Sequence, residues 1–185
     1  MTTGADIKIT ADKSTGIFAN DAGAVTSTGK ISATGASVRA IVANKSTTIT
    51  NSGQIDVTGT ASSATYGAVG LAATNGGTIT HTGGGTIAVD GSASIGAYSG
   101  SGSTVDITGG TTKATGGAFN TFAEGGTIKL SGTTVDTGQK SLAFFADNKG
   151  HINFTGATTA NIAGGTDPST RGTAFYYKGN GYTPF

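Results

Sequence analysis

Short alternations of apolar and polar residues, each closed by glycine, run the length of this chain. Residues 76–102, GGTITHTGGGTIAVDGSASIGAYSGSG, hold three in succession. A period of two puts alternate side chains on opposite faces of an extended strand. One set of runs reads IKI at Ile7, TIT at Thr48, TITHT at Thr78, TVDITG at Thr104, TIKLSG at Thr127 and HINFTG at His151. Its inward pairs are expected to be Ile7/Ile9, Ile49/Asn51, Ile79/His81, Val105/Ile107, Ile128/Leu130 and Ile152/Phe154. Lys8, Thr50, Thr80, Asp106, Lys129 and Asn153 then point outward. A second set, led by Ile31/Ala33, Ile55/Val57, Ile87/Val89 and Ala160/Ile162, alternates in the same way.

A third set is more apolar throughout: GIFANDAG at Gly16, RAIVANKS at Arg39, VGLAATNGG at Val69, IGAYSGSGS at Ile95, NTFAEGG at Asn120, LAFFADNKG at Leu142 and TAFYYKGNG at Thr173. Aligned, these give one column of Phe18, Val42, Ala72, Tyr98, Phe122, Phe145 and Tyr177. Its members stand 24, 30, 26, 24, 23 and 32 residues apart. Three strands per unit of about two dozen residues is the plan of a parallel β-helix. The chain is therefore expected to be all-β: a single right-handed parallel β-helical solenoid over residues 1–185, about seven coils long, with three short strands per coil. At about 4.8 Å per coil that makes a rod of roughly 34 Å. Handedness follows from the rule for parallel crossovers. Asp167, Pro168, Ser169, Thr170 and Arg171 mark a protruding loop.

Composition fits this plan. The 33 glycines among 185 residues suit tight corners, where a positive φ carries no steric penalty. A net charge of +1 gives no electrostatic case for nucleic acid. Without cysteine there is neither a disulfide framework nor a thiolate metal site. No apolar run is long enough for a transmembrane helix, and MTTGADIKIT does not read as a signal peptide. Nothing at Met1 or Phe185 reads as a cap, so the segment is expected to belong to a longer solenoid.

Candidate chemistry is sparse. His81 falls in a column with Ile9, Ile107, Leu130 and Phe154 and reads as an interior or corner histidine, three units from His151. Asp106 and Lys129 are expected to form an exposed ion pair, worth about 0–1 kcal/mol. Ten acidic residues form no cluster of the kind that glycoside cleavage requires. GGGTIAVDG at Gly83 lacks the tandem spacing of calcium-binding nonapeptides. No catalytic residue, cofactor or metal site is expected. The remaining feature is the aromatic column. If Tyr98, Phe122, Phe145 and Tyr177 face out, they form a stripe that could stack on sugars or a protein partner; if they face in, they are a core ladder. The adjacent column, Ile17, Ile41, Leu71, Ala97, Thr121, Phe144 and Tyr176, is also largely apolar, so parity leaves both open.

The units from ITNSGQIDVTG to IGAYSG, with FFADNKGHINFTG and GTAFYYKGNG near the end, resemble the passenger repeats of bacterial type V autotransporters, and among these the large fusobacterial adhesins. The resemblance implies a β-helical passenger segment displayed at the bacterial outer surface and anchored through a C-terminal outer-membrane barrel that lies outside this sequence. It implies a non-enzymatic adhesin or stalk role in attachment to host cells or other bacteria, with a surface protein or glycan as partner. A β-helical polysaccharide-processing enzyme and an ice-binding solenoid are the alternatives. For the latter, Thr48/Thr50 and Thr78/Thr80 make Thr-X-Thr rungs, broken by Lys8, Asp106 and Lys129.

Overall fold

The alternating runs become the three walls of one stack. The computed structural model describes residues 1–61 and 66–179; the expectation about Phe185 lies outside them. Sheet I stacks Thr2–Thr3, Ala24–Ser27, Thr48–Asn51, Thr78–His81, Thr104–Thr108, Thr127–Ser131 and His151–Phe154. Sheet II stacks Ile7–Ile9, Ile31–Thr34, Ile55–Thr58, Thr86–Asp90, Thr111–Thr115, Thr134–Thr137 and Thr159–Ile162. Sheet III stacks Thr15–Ala19, Arg39–Asn44, Val69–Thr74, Ile95–Ser99, Phe119–Glu124, Leu142–Asp147 and Thr173–Lys178. All three sheets are seven-stranded and parallel, and the chain visits them in that order in every coil. The protein is a parallel β-solenoid.

Like residues lie over like because each strand pairs with its counterpart one coil away. Val25, Ile49, Ile79, Val105, Ile128 and Ile152 form one continuous register column of sheet I. Ile31, Ile55 and Ile87 do the same in sheet II. With Ile41, Leu71, Ala97 and Phe144 from sheet III they close a single buried core along the axis. Burial of such side chains, at about 25 cal/mol per Å² of apolar surface, is the main stabilising contribution.

Three readings of the sequence need correction. Ile7–Ile9 belongs to sheet II, where Lys8 stands beside Ser32; the sheet I strands of the first two coils are Thr2–Thr3 and Ala24–Ser27. Those strands carry one strongly apolar residue, Val25, too little to register as an alternating run. The column of His81 accordingly begins with Thr3, Ser27 and Asn51, not Ile9. The aromatic column ends in Tyr176, not Tyr177: Phe145 pairs with Tyr176, and Tyr177 lies beside Ala146. Matching the last repeat by its closing turn shifts it one residue from the match set by the strand hydrogen bonds. Asp106 and Lys129 are register neighbours, yet they form no ion pair. Among the described residues the ion pairs are Lys30–Asp56, Lys45–Asp21 and Lys178–Asp147.

The corners show why glycine is abundant. Gly53 lies directly over the Gly29 carbonyl, and a Cβ there would overlap that oxygen. At the turn from sheet III to sheet I, Asn75 and Gly76 take φ of 51° and 81°, a left-handed pair that Asn-Gly accepts readily. The predicted loop at residues 167–171 is an exposed 3-10 turn over Pro168–Thr170, capped by the Asp167 carboxylate, which accepts from Ser169 N–H at 2.8 Å.

Candidate functional site

Sheet III resolves the ambiguity over its aromatic column. Its strands carry two consecutive inward positions, such as Ala40/Ile41 and Ala143/Phe144, all inside the axial core. The next residue points outward, and Val42 and Phe122 belong to a second, separate cluster on the outer face. Strict alternation fails at that double position, so parity alone could not assign the column that follows it. The column Phe18, Val42, Ala72, Tyr98, Phe122, Phe145, Tyr176 therefore faces away from the axis.

Facing outward does not leave the whole column exposed. Phe122 is only 2 % exposed. Phe145 stacks on it at 4.3 Å between ring centroids, and Tyr66, Tyr98 and Phe119 surround it. Tyr66 comes from the connection between Thr58 and Val69, the longer connection that stretches the spacing from Val42 to Ala72 to 30 residues. Its hydroxyl donates to Glu124 Oε2 at 3.1 Å, and the Tyr98 hydroxyl donates to the same oxygen at 2.6 Å. Burial, and then the Glu124 carboxylate, push both phenols above their ordinary pKa. They stay protonated as donors, and Glu124 ties the connection to the sheet two coils away. Tyr66, Phe119 and Glu124 were not singled out from sequence; the long spacing is the only signal that an inserted segment could cover this face.

Toward the first coils the column thins. Between Phe18, which is 62 % exposed, and Tyr98 stand only Val42 and Ala72. The notch is a cleft of about 450 Å³, walled on one side by Tyr66 and bordered by Arg39, Asn44 and Thr74. Asn44 is the hub of an amide row. Its Nδ2 donates to Asn20 Oδ1 at 2.7 Å, and its Oδ1 accepts from Thr74 Oγ1 at 2.9 Å and Asn75 Nδ2 at 2.7 Å. Arg39 stands in a column that continues through Val69, Ile95, Phe119 and Leu142. Its guanidinium has no acceptor or ion-pair partner among the described residues. Phe122 and Phe145 thus belong to the covered part of the outer face, and Tyr98 forms the boundary between that part and the cleft. At the far end of the rod Tyr176 and Tyr177 are both about half exposed, at 51 % and 55 %.

The titratable residues are dispersed. Among the described residues no three of His, Cys, Asp and Glu gather in a metal-holding group. Desolvation alone would raise the pKa of Asp56, but hydrogen bonds from Lys30 and Gln54 outweigh it and hold the carboxyl below its ordinary value. His81 is fully buried. Asn51 Nδ2 donates to its Nδ1 at 2.9 Å, and Nε2 lies 3.2 Å from the Gly85 carbonyl. This bonding places the proton on Nε2, and desolvation, opposed only by the Gly85 contact, lowers the pKa. His151 heads a strand three coils away, paired with Thr127. No family model, curated protein or solved structure matches this chain.

Proposed function

We propose that this chain is a surface-displayed adhesin or stalk segment of a bacterial type V autotransporter passenger, acting in attachment rather than catalysis. The supporting observation is the continuous stack of seven coils, a rod built by repetition whose outer face on sheet III carries rings and a cleft. Repeat architectures of this kind turn small per-unit surfaces into extended binding faces. The resemblance of the repeats to passenger repeats supports the same reading, in which the segment is displayed at the outer surface and a host or bacterial surface molecule is its partner. Attachment of chain-coated beads to epithelial cells and to bacteria tests the reading. A binder raises attachment over bare beads. A stalk leaves the beads unattached but lowers attachment when the segment is deleted from the whole protein. Neither effect overturns the proposal.

One observation favours a second reading. With Lys8 on sheet II, the outward column of sheet I runs Thr2, Thr26, Thr50 and Thr80 before Asp106 interrupts it. Beside it stand Thr48, Thr78, Thr104 and Thr127. Such a hydroxyl array could order water in an ice-like lattice, and a thermal-hysteresis measurement tests it. Growth of ice at the equilibrium freezing point removes this alternative.

A further inference from the structure

The cleft on sheet III has walls of two kinds, and together they specify a ligand. We propose that it binds a carboxylated pyranose, a uronic or sialic type of sugar, of one or two rings. This deepens the attachment reading and rests on it. The cleft exists because the outer column is interrupted: Phe18 and Tyr98 stand three coils apart, about 14 Å at the inter-strand spacing, with only Val42 and Ala72 between them. Two rings facing across a gap with a small apolar floor fit a sugar ring, whose C–H face packs on aromatic and aliphatic carbon. A volume of about 450 Å³ is within the roughly 300–1,000 Å³ of small-ligand pockets.

The polar groups supply the rest. Hydroxyls at the ring edge require amide and hydroxyl partners, and Asn44 and Thr74 stand at the border. Asn44, Asn20 and Asn75 hold one another in place, so their orientation is fixed before a ligand arrives. Arg39 adds the charge. It is the one charged residue of its column, whose other members are Thr15, Val69, Ile95, Phe119, Leu142 and Thr173. Its guanidinium is exposed and without an acceptor among the described residues. A planar fork of N–H donors at the edge of an apolar cleft matches a carboxylate in two-point contact. Of the two carboxylates on the strands of sheet III, Glu124 is engaged by Tyr66 and Tyr98 and Asp147 by Lys178, and no carboxylate of the described residues pairs with Arg39.

Titration calorimetry of the full chain tests the assignment, with methyl β-D-glucuronide and N-acetylneuraminic acid as charged probes and methyl β-D-glucoside as the neutral one. At least one charged probe is expected to bind saturably and about tenfold or more tighter than the glucoside, the effect of one charge-assisted contact. Arg39→Gln is expected to remove that preference. Ala72→Phe, which extends the ring column across the notch, is expected to abolish binding while the far-ultraviolet circular dichroism stays unchanged. No saturable binding, equal affinity for charged and neutral probes, or affinity indifferent to either substitution overturns the proposal. Bead attachment read in parallel separates the two ideas. Attachment without sugar binding overturns the cleft assignment and keeps the attachment reading; sugar binding by a chain that fails every attachment assay keeps the cleft and overturns that reading.

Discussion

His81 is the residue whose surroundings matter most for solution behaviour. It sits uncharged in the core, between Asn51 and the Gly85 carbonyl, with its pKa below the ordinary 6.5. The native state therefore takes up its proton less readily than the unfolded chain does. Its contribution to stability is complete above pH 6.5 and is lost as pH falls through the lowered folded value. Thermal melts should show a transition that drops between neutral pH and pH 5. The double variant Asn51→Val/His81→Ile, which continues the apolar Ile107 and Leu130 column, should flatten that dependence. Gly53 gives a second test. Because its Cβ would overlap the Gly29 carbonyl, Gly53→Ala has to push two coils apart. Overpacking of this kind costs about 1–3 kcal/mol, read as a lower denaturant midpoint; a melt identical to that of the parent would show that the corner has slack.

At the scale of elements, the outer cluster on sheet III behaves as a small core of its own. Phe122 is enclosed by four rings, and Phe122→Ala should cost about 3–5 kcal/mol. Glu124→Leu removes the acceptor shared by Tyr66 and Tyr98. It should free the Tyr66 connection for limited proteolysis while the three sheets persist in circular dichroism; unchanged cleavage would mean that the ring contacts suffice to hold it. How far these elements could be read in the sequence follows from what periodicity records. Ile79, Val105, Ile128 and Ile152 align because every coil repeats the same contact, and such contacts leave a trace at a fixed spacing. Thr2–Thr3 and Ala24–Ser27 escaped because Thr and Ser can face a core or water without altering the pattern. The Tyr66–Glu124 contact spans 58 residues and occurs once, so it leaves no periodic trace. The double inward position at Ala40/Ile41 hid the direction of the aromatic column, because only a broken alternation could have revealed it.

At the scale of the whole molecule, stability is close to a sum of units and their interfaces. Thr104 and Thr127 occupy the same register position in successive coils. Excision of residues 104–126, which joins Ser103 to Thr127, should leave a six-coil rod. Small-angle scattering should show it shorter by about 4.8 Å, with cooperative unfolding at reduced stability. Collapse of that variant to an unfolded chain would show that the aromatic cluster it loses holds together more than its own coils.

The parallel pairing has one more consequence, for a chain under tension. Hydrogen bonds between coils point along the long axis, so a load applied at the two ends strains them in series, like a zip opened from its end. Single-molecule pulling should yield a sawtooth rather than one rupture. Coils 24 residues apart in sequence, as at Phe18 and Val42, should each release roughly 75 Å of contour length. A structure that gives way one tooth at a time keeps its grip while it lengthens, which suits a tether exposed to flow.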